Sequence, residues 1–189
     1  MRSLNLVLIA TLAAFTLQAP SQDTVKVIRQ SEPEKALIFE LNIPAPQDEV
    51  WKAFTTSEGL STWLTPGAVV DLRNGGEWTA HYPGGHTGGG TILSFAPQQE
   101  LILSAMAPEQ FPNVRSQRTM ARFEFIPEGS STLVRLTQTG WKAGDEWDKA
   151  YDYLAKGNTQ LLWTLHRRFV SGPIDWQKEW GDAGKVGNK

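Results

Sequence analysis

DEWDKAYDYLAKGNTQLLWTLHRRFV, running from Asp145 to Val170, is the element around which the rest of the chain must pack. No other segment is long and periodic enough to form a major helix. On the 3.6-residue repeat Trp147, Tyr151, Leu154, Leu161, Leu162, Leu165 and Phe169 share one side, while Asp148, Lys149, Asp152, Lys156 and Arg167 mostly face away. Asn158 interrupts that apolar stripe beside Gly157, where glycine costs about 1 kcal/mol relative to alanine. The helix therefore either bends at this point or faces something other than a dry core.

What the helix packs against is set by the residues before it. Leu37, Phe39, Leu41 and Ile43 alternate as a half-buried strand should, and Pro44 and Pro46 end it. A short helix is expected from Gln47 to Thr55, with Val50, Trp51 and Phe54 as its apolar face, and a second opens at Ser57 and stops at Pro66. From Gly67 to Gly140 the period is two. Strands are expected at Ala68 to Leu72, Glu77 to Tyr82, Thr91 to Phe95, Leu101 to Met106, Thr119 to Ile126 and Thr132 to Thr139, separated by Gly-, Pro- and Asn-bearing turns. Ala107 to Arg118, with two prolines, is a longer loop than a hairpin needs. This is an α+β chain whose antiparallel sheet can bury its apolar face only against the last helix.

Flanking segments complete the organisation: a leader over residues 1–22, a lead-in over 23–35, a single domain over 36–171 and a tail over 172–189. In the lead-in Val25 and Val27 could start an edge strand that Pro33 would interrupt. Arg2 followed by the apolar run Leu4 to Leu17 reads as an export signal, too short for a comfortable membrane span. A periplasmic or secreted protein is expected, with no stable span once the signal is removed. In the tail Ile174, Trp176 and Trp180 are expected to fold back on the surface, and Gly181 to Lys189 to be disordered.

Composition excludes several classes of chemistry. With no cysteine there are no disulfides, thiolate ligands or cysteine nucleophiles. Removing Arg2 takes the net charge from -2 to about -3, with no basic run to recruit nucleic acid. Gly75-Gly76 and Gly88-Gly89-Gly90 sit between strands, so they are turn glycines rather than phosphate loops opening a helix.

Ile43-Pro44-Ala45-Pro46 followed by Val50-Trp51-Lys52-Ala53-Phe54, Glu58-Gly59-Leu60 with Trp63, Gly75-Gly76, Gly90-Thr91-Ile92 with Pro97, and Thr132 with Gly140-Trp141 carry a resemblance. In this order they resemble the helix-grip superfamily called SRPBCC (START-like, Bet v-type), and within it the family named after the activator of heat-shock-protein-90 ATPase. The resemblance implies a seven-stranded curved antiparallel sheet around a long C-terminal helix, usually with a cavity between them. Its members include ligand binders, cyclase-type enzymes and co-chaperone domains. Many relatives carry a histidine where this chain has Gln138. An exported chain would meet neither ATP nor that chaperone, so the family's name implies no function here.

Alternation and helical period together nominate a ligand pocket lined by Trp63, Trp78, Phe123, Phe125, Leu136, Gln138, Trp141, Trp147, Tyr151, Leu154, Asn158 and Leu162. Trp51, Trp63 and Trp78 also suit a core, while Trp141 and Trp147 are placed at the pocket mouth for stacking. A filled core, with Gln138 and Asn158 bonded to each other, is the competing arrangement. Glu77, His81 and His86 share a hairpin, but their spacing matches no zinc signature, and no metal, cofactor or catalytic residue is assigned. That glycine-rich hairpin is expected to act as a lid. The expected partner is a small apolar or amphipathic molecule. An enzyme using Tyr82, His81, His86 or Gln138 at the pocket rim, and a protein-docking patch around Trp176 and Trp180, are the alternatives.

Overall fold

The computed structural model describes residues 24–181; the leader and the last tail residues expected to be disordered lie outside this range. Strand β1 (Lys26–Gln30) pairs antiparallel with β2 (Ala36–Ile43), so the lead-in is part of the sheet. Pro33 does not break this strand, because it falls in the turn between the two, after a cis peptide bond from Glu32. Helix α1 (Gln47–Thr55) follows Pro46, with Asp48 and Glu49 in its first turn, where negative charge suits the helix dipole. It leads directly into α2 (Ser57–Ser61), capped by the Thr56 hydroxyl accepting from Gly59 N at 2.9 Å. A Cβ on Gly59 would lie 2.3 Å from Lys52 O, so the close joint between the two helices requires glycine.

Strands β3 (Val69–Val70), β4 (Glu77–His81), β5 (Thr87–Ala96), β6 (Glu100–Met106), β7 (Thr119–Glu128) and β8 (Ser131–Thr139) complete an eight-stranded antiparallel sheet in the order β1-β2-β8-β7-β6-β5-β4-β3. The sheet thus has one strand more than the resemblance implies, the addition being β1. Within the expected loop, α3 (Pro112–Gln117) forms because Glu146 reaches across to its first turn. That carboxylate accepts from Asn113 N at 2.7 Å, Asn113 Nδ2 at 2.6 Å and Val114 N at 3.1 Å, satisfying orphan donors that the local sequence leaves open.

Helix α4 (Asp145–Ser171) crosses the concave face as one unbroken element, so Gly157 does not end it, and α5 (Trp176–Trp180) follows Gly172-Pro173. Register brings the inward residues of the central strands into rows: Phe39 beside Leu136 beside Phe123, and Leu41 beside Val134 beside Phe125. Over one end of this face α1 and α2 build an aromatic knot in which the Phe54 ring lies 4.9 Å from Trp63 and 5.0 Å from both Phe123 and Phe125. Over the other end, Trp147, Ala150, Tyr151, Ala155, Leu162 and Leu165 of α4 are buried. Among the described residues no helix is long and apolar enough to cross a membrane.

A candidate ligand cavity between sheet and helix

The two coverings of the sheet touch where Arg168 Nε of α4 donates to Thr62 Oγ1 at 3.2 Å, and beside that contact a cavity of about 780 Å³ remains between them. Its floor is shaped by what is missing. Ala80 on β4, Ala105 on β6 and Ala121 on β7 stand at inward positions where longer side chains would fill the space. Gly89, with φ 105, passes so near β4 that a Cβ would lie 2.0 Å from Trp78 O. The opposite wall is a second facet of α4, formed by Leu154, Gly157, Asn158 and Leu161. Gly157 stands exposed at the edge of this wall, and a Cβ there would meet nothing within 4 Å.

Of the nominated residues, Trp63, Trp78, Phe123, Leu136, Gln138, Leu154 and Asn158 are brought together around this space. Phe125, Leu162, Trp141, Trp147 and Tyr151 are not. Phe125 is edge-on to Trp51 at 5.4 Å inside the aromatic knot, and Leu162 is fully buried on the core facet of α4. Trp141, Trp147 and Tyr151 form a separate buried cluster at the N-terminal end of α4, with ring centroids 6.5 Å and 5.0 Å from Trp141. The Tyr151 hydroxyl donates to Ala36 O at 2.9 Å and the Trp141 indole to Gln138 O at 3.0 Å. The placing of Trp141 and Trp147 at the mouth is therefore corrected: Trp141, just before α4, packs with Trp147 and Tyr151 in closed core, while the cavity faces the facet of α4 that carries Leu154, Gly157, Asn158 and Leu161.

Gln138 and Asn158 are bonded, yet the cavity is open beside them. Gln138 Nε2 donates to Thr119 Oγ1 at 2.8 Å, and Asn158 Nδ2 donates to Gln138 Oε1 at 2.7 Å. This relay satisfies the buried Gln138 side chain completely on these two sides. Asn158 Oδ1 takes no donor from the described residues, which makes it a neutral acceptor at the cavity wall.

At the mouth stand Tyr82 and His86, which the sequence offers only as rim residues of the alternative enzyme reading, together with Thr87, which it does not nominate. Tyr82, His86 and Thr87 come from the β4–β5 hairpin, whose Pro83–Gly85 turn is a single 3-10 turn. His86 Nδ1 lies 3.0 Å from Glu109 Oε2. Among the described residues no three His, Asp or Glu side chains are grouped as metal ligands. Burial raises the Tyr82 phenol above its ordinary range, so it is neutral at physiological pH. Trp176, Glu179 and Trp180 of α5 close another side.

A curved antiparallel sheet holding one long helix, with an enclosed space between them, defines the helix-grip class. Residues 44–169 match the family described as Activator of Hsp90 ATPase homolog 1-like protein, and the chain belongs to that family. Among solved structures, MLL2253 from Mesorhizobium loti is 19% identical with a TM-score of 0.62, over 74% of this chain and 99% of its own. The Aha1 dimer from Colwellia psychrerythraea is 17% identical with a TM-score of 0.59, over 72% and 97%. CalU16 from Micromonospora echinospora is 22% identical with a TM-score of 0.57, over 85% and 92%. At these identities the likeness is one of fold. No curated protein matches the sequence.

Proposed function

We propose that this chain is an exported protein that binds a small apolar or amphipathic molecule between its sheet and α4, without catalysing a reaction on it. The observation that carries the reading is the cavity of about 780 Å³, whose size falls within the roughly 300–1,000 Å³ of small-molecule sites. Its lining has the composition such sites need. Trp63, Trp78, Phe123 and Leu136 offer apolar surface, and the Asn158 amide offers an orienting polar group. The amide pair Gln138–Asn158 moves no protons at physiological pH, which supports binding over acid-base chemistry. The leader over residues 1–22 supports export. Nothing in the charge pattern favours nucleic acid as a partner.

Native mass spectrometry of the protein purified from its own compartment tests the reading. The expected spectrum carries an organic adduct that solvent extraction removes. A homogeneous apo mass before extraction, together with no uptake from a total lipid and metabolite extract, would overturn it.

A further inference from the structure

The family match ends at Phe169, but the cavity does not. Helix α5 lies wholly beyond the shared segment and is fastened over the mouth. Ile174 N donates to Thr62 O at 2.9 Å, the Trp176 indole to Ser61 O at 2.7 Å, and Arg167 Nη2 meets Glu179 Oε1 at 3.0 Å. These ties use a backbone amide, an indole and a guanidinium, and they fasten α5 and the residues leading into it to the end of α2 and to α4. The Trp176 and Trp180 rings are 4.8 Å apart, and Trp180 is 6.5 Å from Tyr82 on the β4–β5 hairpin. Tyr82, Trp180 and Trp176 thus form one continuous aromatic wall along the cavity.

We propose that α5 is the specificity element of this cavity, its two tryptophans together with Tyr82 selecting an uncharged, flat ring-bearing molecule over a saturated chain of similar volume. The proposal rests on the ligand-binding reading above. A conjugated ring gains offset or edge-to-face contacts with a wall of this kind, whereas a saturated chain gains only dispersion. Charge is disfavoured in the occupant because the carboxylates at the mouth are already engaged, Glu179 by Arg167 and Glu109 by His86. Deeper in, Asn158 Oδ1 accepts an O–H or N–H on the ring system.

The test uses the full secreted chain after solvent extraction, with N-phenyl-1-naphthylamine as a neutral two-ring probe bearing one N–H, and 1-dodecanol as the saturated comparison. Trp176→Leu combined with Trp180→Leu is expected to weaken naphthylamine binding about ten-fold, the scale of one aromatic pair, with dodecanol affinity changed less than about two-fold. Unchanged naphthylamine affinity, or equal losses for both probes, overturns the selectivity of α5 and leaves the cavity as a ligand site. Failure of the unaltered protein to bind either probe overturns both readings. Circular dichroism melts accompany the titrations. Should the double variant not fold, Tyr82→Leu, which alters the same wall from the sheet side, is read by the same two criteria.

Discussion

At Gly157 helix propensity and cavity pull in opposite directions. Alanine there would favour the helix by about 1 kcal/mol, and its methyl group would enter space empty to 4 Å. Gly157→Ala is therefore expected to raise Tm by about 2–4 °C for a domain of this size. A lowered Tm would mean that the open side of Gly157 is occupied by protein. Gln138 tests the neighbouring contacts. Gln138→Leu removes the partners of Thr119 Oγ1 and Asn158 Nδ2 at a position only 4% exposed, and should cost about 1–3 kcal/mol in chemical denaturation. Adding Asn158→Leu should restore part of that loss, since both ends of one bond are then gone; strictly additive losses would contradict the relay.

At the scale of elements, β1 meets α4 through Arg29–Asp152 at 2.6 Å, and the turn that follows it meets the same helix through Lys35–Asp148 at 2.7 Å. The partners in both pairs are solvent-exposed, and such pairs contribute roughly 0–1 kcal/mol. Single Arg29→Ala and Lys35→Ala variants should each lose less than about 1 kcal/mol in urea denaturation, β1 being held by its ladder to β2 and by Val25 in the core. A loss of several kcal/mol from either would show that the ion pairs hold the strand. Most elements are legible in the sequence because their periods are clear: β2, β4, β6, β7 and β8 alternate, and α4 repeats over 27 residues. The exceptions depend on partners outside the element itself, near for β1 and distant for α3. β1 is paired by β2 around Pro33, and α3 begins where Glu146 supplies its acceptors.

For the whole molecule, the cavity is legible only in outline. Asn158 within an apolar stripe and Gln138 on an inward strand face announce a polar spot between sheet and helix, and the two residues meet at 2.7 Å. The apolar stripe does not show where one facet of α4 ends and the next begins, which is why Trp147, Tyr151 and Leu162 belong to closed core while Leu154 and Asn158 line the cavity. The space itself comes from short side chains at Ala80, Ala105 and Ala121, which read as unremarkable strand residues until three different strands bring them to the same cavity. Trp176 and Trp180, separated from the domain by Gly172-Pro173, carry no periodic signal that would direct them to the mouth.

Whether this space holds a molecule is decided by thermal unfolding of the solvent-extracted protein with its own extract returned. A ligand at one hundred times its Kd stabilises a fold by about 2.7 kcal/mol, so the extract should raise Tm by several degrees. Ala121→Phe, which places a ring in the cavity, should abolish that rise. An equal rise in both proteins would put the ligand elsewhere, and no rise in either would contradict the account.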